Sequence, residues 1–173
     1  MRKIAFLVAI LVLLGFTQAG AAELKIGYVN LQKALNECEA GIKAKQELKE
    51  EARKLEKKLT KKQEELKKLR EEIEKKHAVW NEETRKAKER DYQIKSQQLQ
   101  EEFVRLSEEL NRKRSQKEEK IIKELRAIID RVAKERGYTY VLEASTGLIL
   151  YGPEKDDITD LVIKLYNEKL KKD

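Results

Sequence analysis

The chain offers few residues whose types and spacing could support catalysis. Gly147 and Gly152 are spaced as in a phosphate-binding loop, but such a loop needs a lysine and then a serine or threonine after its second glycine. Pro153 and Glu154 stand there instead. His77 is the only histidine, and no cluster of thiols accompanies it that could complete a metal site. We therefore predict a protein that is not an enzyme and that uses no metal and no cofactor.

The many carboxylates have a simpler explanation than acid/base chemistry. Charged residues make up 41% of the 173 residues and aromatic residues 6%. Acidic and basic side chains alternate at helical spacing, which is typical of a solvated helix surface with i to i+4 pairs. Such a composition argues against a large single-domain enzyme. The single cysteine, Cys38, cannot form an intrachain disulfide, and it is interpreted either as a small apolar residue near a helix start or as a reactive thiol.

The first 22 residues have the order of a secretory signal peptide: Arg2 and Lys3, then an apolar run at residues 4–16, then small residues. A retained membrane anchor is the alternative, but crossing a bilayer takes about 20 apolar residues. We predict cleavage that leaves a mature chain beginning near Ala22 or Glu23. Loss of the two cations lowers the formal net charge from +7 to +5.

Glycine and proline are absent from residues 42–136, a stretch rich in Glu, Lys, Leu, Gln and Arg. Two apolar runs within it recur every three or four positions, which is the spacing of a coiled-coil seam. Lys62 fills a skipped position of the first run, and a step of 11 residues in the second run shifts the seam. The first run is Leu48, Ala52, Leu55, Leu59, Leu66, Leu69 and Ile73, and the second is Leu99, Phe103, Leu106, Leu110, Ile121, Leu125, Ile128 and Val132.

An unbroken rod and a folded-back hairpin both fit this periodicity, and residues 80–84 are the best place for a reversal. Asn81 is a good helix N-cap because its side-chain oxygen can accept from a free backbone N–H. Glu82 and Glu83 then occupy the first turn, where the positive end of the helix dipole favours them. We predict that residues 33–136 form an antiparallel helical hairpin with arms about 70 Å long.

The segments outside the hairpin, residues 23–32 and 137–173, predict a small β-containing body with a C-terminal helix. Three short runs of β-branched and aromatic residues predict strands, and Gly137 is expected to end the second long helix. The predicted strands are 25–29, 138–143 and 148–151. Asn30 is expected to cap the helix after the first strand, and Asp157 to open a final helix. The predicted apolar face of that final helix is Leu161, Ile163, Leu165, Tyr166 and Leu170.

So small a body cannot bury a self-sufficient core, and its strands would leave bare edges. We therefore expect strands from several copies to complete one small sheet or barrel. The predicted fold class is α+β, mostly α: a long antiparallel helical hairpin, a coiled-coil arm, projecting from a small β body completed by oligomerisation. The residues expected at subunit contacts are Ile26, Tyr28, Val29, Tyr140, Val141, Leu142, Leu148 and Leu150.

Apolar residues also concentrate near the predicted turn, far from any core that could bury them. They could bind another molecule or pack the turn itself, and both roles are compatible. Between residues 61 and 100, 12 basic side chains face 9 acidic ones, which indicates either a solvated surface or a weak contact with anionic membrane lipids or acidic partners. Nucleic acid is not expected as a partner, because no aromatic platform or recognition helix is evident. The candidate binding residues are Ile73, Val79, Trp80, Tyr92 and Ile94.

The two ends of the chain carry a family resemblance. Residues 25–35, Lys-Ile-Gly-Tyr-Val-Asn-Leu-Gln-Lys-Ala-Leu, precede the glycine-free hairpin, and residues 137–144, Gly-Tyr-Thr-Tyr-Val-Leu-Glu-Ala, follow it. With Tyr151 and Asp157-Ile-Thr-Asp160, these segments resemble the Skp/OmpH family of periplasmic chaperones over essentially the whole mature chain. Cys38 departs from the family pattern.

The resemblance implies a periplasmic homotrimer whose small β body carries three helical arms around a central cavity. In that cavity, unfolded outer-membrane β-barrel proteins would be held without ATP and kept from aggregating. The expected function is therefore an ATP-independent holdase. The alternative is a structural coiled-coil spacer or adaptor of the cell envelope, which would carry a more continuous and better filled seam.

Overall fold

The computed structural model describes residues 24–172, so the predicted signal peptide lies outside the described residues. The chain is mostly helical, with two long helices and one small pair of strands, which confirms the predicted class at that level. No helix within the described range has both the length and the apolar character needed to cross a membrane. The elements are β1 (Ile26–Val29), α1 (Leu31–Glu37), α2 (Glu39–Lys76), α3 (Glu82–Arg136), β2 (Tyr140–Glu143), a short 3-10 helix (Glu154–Asp156) and α4 (Thr159–Leu170).

We call the pair α2 and α3 the arm, and the elements around the two strands the body. The arm helices are antiparallel, because ion pairs link Glu72 to Lys88 near the turn and Glu47 to Lys117 near the body. At 1.5 Å per residue, the 38 residues of α2 extend about 57 Å. The 55 residues of α3 extend about 83 Å, so α3 continues past the start of α2 into the body.

Local capping residues set the helix ends where the sequence predicts them. The side-chain oxygen of Asn30 accepts from the Lys33 N–H at 2.7 Å, and that of Asn81 accepts from the Thr84 N–H at 2.8 Å. Gly137 ends α3 with φ of 67°, a left-handed conformation that glycine adopts without steric cost. These three caps are confirmed.

A break at Cys38, which the sequence did not predict, separates α1 from α2. Cys38 has an extended backbone, with φ of −69° and ψ of 150°, and its sulfur accepts from the Gly41 N–H at 3.3 Å. The chain folds back so tightly that a Cβ on Gly41 would lie 1.7 Å from the Leu35 carbonyl oxygen. Cys38 is fully buried, and this burial raises the pKa of its thiol. The interpretation as a small core residue is therefore confirmed.

The body contains a parallel pair, β1 and β2, with Ile26 opposite Tyr140 and Val29 opposite Glu143. On its other side, β1 forms an isolated bridge to Asp157. The predicted strand at residues 148–151 is absent: one edge of β2 is free within residues 24–172, but the segment does not pair with it. It runs instead as an exposed extended loop.

The core of the body includes the last turns of the arm. Five of its apolar residues come from α3. The buried core therefore includes part of the predicted arm, residues 33–136, and is larger than the predicted body segments alone could provide. Each fully buried large aliphatic side chain contributes about 1.5 to 3 kcal/mol. The core residues are Val29, Ala34, Leu35, Cys38, Ile121, Leu125, Ile128, Ile129, Val132, Ile158, Val162 and Tyr166.

The C-terminal helix α4 packs on this core through a face that partly matches the predicted one: Tyr166 is buried, and Leu161, Ile163 and Leu165 are half-buried against the core. Ile158, Val162 and Tyr166, spaced four apart, are buried, while Leu170 is exposed. The Asp157 carboxylate accepts from the Thr159 N–H at 2.8 Å, just before the helix. The Tyr166 hydroxyl donates to Glu124 of α3 at 2.5 Å, and burial raises the pKa of that hydroxyl. This hydrogen bond fixes α4 against the base of the arm.

Candidate functional site

A tight turn joins α2 to α3 at the distal end of the arm. The backbone N–H groups of Val79 and Trp80 both donate to the Lys76 carbonyl oxygen, at 3.0 and 3.1 Å. Trp80 is half-buried, and the ammonium groups of Lys76 and Lys88, one from each helix, lie 5.8 Å from its ring centroid. A cation at this distance contributes about 0.5 to 1 kcal/mol at an exposed site. Trp80 therefore packs the turn, which is one of the two roles considered for it.

The five predicted binding residues do not form one patch. Val79 is 83% exposed at the turn and Ile94 is 48% exposed. Ile94, however, lies about 20 Å along α3 from Asn81. Ile73 and Tyr92 are half-buried within the arm. The exposed apolar surface is thus distributed along the arm instead of being concentrated at its end.

Two further exposed apolar side chains, Phe103 and Val104, lie near the middle of α3. The seam position predicted for Phe103 is wrong, because Glu102 occupies the seam. The Glu102 side chain is only 11% exposed and reaches across the arm to Lys58, at 2.7 Å, and to Lys62. Hydrogen bonds from Lys58 and then Lys62 lower the pKa of Glu102 to about 2. Displacement of Phe103 from the seam leaves an aromatic ring half in solvent.

Charged residues continue the seam toward the body. Lys113 contacts Glu51 across the arm and Glu109 on its own helix at 3.1 Å, and Lys117 pairs with Glu47 at 2.8 Å. Such partly exposed pairs contribute little each, so the seam is only weakly held in this part of the arm. The sequence signal was present, because the three- and four-residue spacing continues through Glu102, Leu106, Glu109, Lys113, Lys117 and Ile121 once charged residues are accepted in the seam.

The other end of the molecule exposes one face of the strand pair. Successive side chains point to opposite faces of a strand, so Ile26, Tyr140 and Leu142 share the outer face. They are 41%, 58% and 45% exposed. Val29 and Val141 point to the other face, where Val29 is buried in the chain's own core and Val141 packs against it. The eight predicted contact residues therefore divide between the outer surface and the interior.

The loop after β2 extends the exposed apolar surface. Leu148 is 84% exposed and Leu150 94% exposed. The loop is held at its end by the half-buried Tyr28, whose hydroxyl lies 3.3 Å from the carbonyl oxygens of Gly152 and of Pro153. Exposed apolar side chains thus lie both on the strand pair and on the loop that follows it.

Comparisons with known proteins agree with this architecture. Residues 25–166 match the family model described as Outer membrane protein (OmpH-like). The fold is similar to the crystal structure of a proposed outer membrane chaperone (OmpH-like) from Caulobacter crescentus CB15, with a TM-score of 0.78 and 16% sequence identity. The similarity covers 89% of this chain and 91% of that one. No curated protein sequence matches the chain.

Proposed function

Because the chain belongs to the OmpH-like family of outer membrane proteins, we propose that it is an ATP-independent holdase chaperone. It binds unfolded outer-membrane β-barrel proteins and prevents their aggregation. One observation carries the proposal: apolar side chains stand exposed at intervals along an arm that is otherwise charged. Val79, Ile94, Phe103 and Val104 are each 45% exposed or more, and they extend over about 35 Å from the turn.

This spacing suits a client that has no fixed structure. An unfolded membrane barrel protein exposes apolar side chains and unpaired strand edges, and it aggregates in water unless another molecule covers them. Apolar contacts of about 1.5 to 3 kcal/mol each, when fully buried, add up over several sites and still allow release one contact at a time. No covalent step and no nucleotide is needed for this cycle.

The exposed face of the strand pair forms the contact between subunits in this proposal. In the proposed homotrimer, Ile26, Tyr140 and Leu142 of each copy meet those of its neighbours, and the loops carrying Leu148 and Leu150 complete the contact. Three arms then surround a cavity that faces away from the body. A mature charge of +5 per chain attracts acidic clients and allows weak contact with an anionic membrane surface. The chaperone acts in the periplasm after its signal peptide is removed.

The test is suppression of aggregation. The purified mature chain is mixed with a urea-unfolded outer-membrane barrel protein, the urea is diluted, and light scattering is recorded. We expect scattering to fall as the concentration of the protein rises and to vanish when the protein and its client are present in stoichiometric amounts. This result is expected in a buffer that contains no ATP. A coiled-coil protein of similar length and charge is the control. Unchanged scattering with a stoichiometric amount of this protein would favour the envelope spacer instead.

Sedimentation of the mature chain at micromolar concentration tests the assembly separately. The expected result is a single species of three times the protomer mass. A fully helical monomer would contradict the role given to the exposed strand face.

A further inference from the structure

A groove of about 410 Å³ separates the arm helices just above the body. On α2 it is lined by the small residues Gly41, Ala44 and Ala52. On α3 it lies along the step between Leu110 and Ile121, where no apolar side chain projects from the seam. Small residues opposite a charged stretch prevent the two helices from filling the space between them. The step in the apolar repeat therefore has a structural consequence beyond a shift of the seam.

The edge of the groove is basic. Lys45 and Lys49 of α2 and Arg114 of α3 line it, and none of the three forms an ion pair within residues 24–172. Lys117 also lines the groove, but a carboxylate across the arm neutralises it. Glu118 is the single acidic residue in the lining. Three unpaired cations against one carboxylate make the groove complementary to an apolar ligand that carries negative charge.

We propose that this groove binds an extended segment of the client in which apolar and acidic side chains alternate. This inference rests on the proposed holdase function and names the kind of segment that the arm holds nearest the body. The groove runs from Gly41 to Ala52, about 17 Å along α2, which an extended chain covers with about five residues.

The spacing of the groove's charges fits an extended strand. Lys45 and Lys49 are one i to i+4 step apart, about 6 Å along the helix axis. Side chains on one face of a strand repeat every two residues, at about 6.6 Å. A strand that lies edge-on along the groove, with one face toward Lys45 and Lys49, therefore brings successive acidic side chains past successive lysines and turns its apolar side chains toward the opposite wall. Membrane barrel strands alternate apolar and polar residues in this way, so the groove selects their acidic segments.

Binding of a labelled peptide to the mature protein tests the inference. The probe alternates leucine and glutamate, and its competitors are a peptide of the same composition in two blocks and one that alternates leucine and lysine. We expect the first peptide to bind by fluorescence anisotropy at least about tenfold more tightly than either competitor, because like charges at an interface repel. Raising the salt concentration should reduce the difference in affinity between the leucine–glutamate peptide and the leucine–lysine peptide, because salt screens charges.

Variants locate the site. Lys45→Glu combined with Lys49→Glu should weaken binding of the alternating peptide about tenfold. The matched control is Lys57→Glu with Lys61→Glu, the same charge change on exposed residues of the same helix outside the groove, and it should leave affinity within about twofold. Ala52→Leu should fill the groove and lower affinity without reducing helicity, which circular dichroism checks.

Equal affinity for the alternating and block peptides would overturn the inference, and so would equal losses in the two double variants. The light-scattering assay on the same proteins separates this result from the proposed function. If the wild type suppresses aggregation but shows no groove-dependent peptide binding, the groove proposal fails and the holdase stands. If it suppresses nothing, the proposed function itself fails.

Discussion

Replacement of Gly41 by alanine should destabilise the protein, although helix propensity alone predicts the opposite. Gly41 lies in the first turn of α2, and alanine in a helix is favoured over glycine by about 1 kcal/mol. The structure leaves no space for the added methyl group. Its Cβ would lie 1.7 Å from the Leu35 carbonyl oxygen and 3.3 Å from the Cys38 sulfur. Relief requires α1 and α2 to move apart at the break that joins them.

The expected size of the effect follows from these two opposed contributions. Overpacking in a core costs about 1 to 3 kcal/mol and more when backbone atoms must move. With the propensity gain subtracted, we expect a net loss of about 2 kcal/mol. For a chain of this length that corresponds to a melting temperature about 4 to 8 °C lower.

The measurement is thermal and urea unfolding followed by circular dichroism, at one fixed protomer concentration because assembly adds to apparent stability. Ala127→Gly, at an exposed position of α3, is the control that reports the helix propensity difference within this protein. A Gly41→Ala variant as stable as the wild type, or more stable, would refute the tight approach of α1 to α2.

Three further outcomes are expected. Tyr166→Phe should cost about 1 to 2 kcal/mol in urea unfolding, because Glu124 loses its buried hydrogen-bond donor. The pKa of Glu102 is about 2 in the folded arm against 4.5 ordinarily, so its contribution is complete above about pH 4.5 and is lost as the pH falls toward 2. Glu102→Gln should therefore show a smaller loss of helicity than the wild type across that window, and an equal loss would contradict the pairing. Trp80→Ser combined with Val79→Ser should lower the affinity for an unfolded barrel protein more than it lowers the fraction of trimer measured by sedimentation. A larger loss of trimer than of client affinity would exclude client contact at the turn.

Features that depend on nearest neighbours in sequence are the ones that sequence reasoning identified. Asn30, Asn81 and Gly137 each act within one turn of a helix, so residue type and position were enough to place them. The break at Cys38 was missed because it depends on a close fit between Gly41 and Leu35, which no local pattern reports.

Errors arose where a residue's role depends on distant partners. The strand predicted at residues 148–151 has the right composition, but the segment pairs with neither strand although one edge of β2 is free in the described part of the chain. Phe103 was placed in the seam because apolarity was taken as the only signal, whereas Glu102 lies there between two lysines from the other helix. The dispersed exposure of Val79 and Ile94 along the arm was likewise visible only once the helices were paired.

The parallel pairing of the first and second strands also constrains the order in which the chain can fold. The N–H of Lys25 bonds to the hydroxyl of Thr139, 114 residues further on. Closing so long a loop in a disordered chain is entropically costly, whereas the hairpin of α2 and α3 forms from contacts that begin at its turn. Formation of the arm from its turn toward the body brings the segments of β1 and β2 close together and removes most of the entropic cost of closing the loop. We therefore expect the two strands to pair only after the arm has formed.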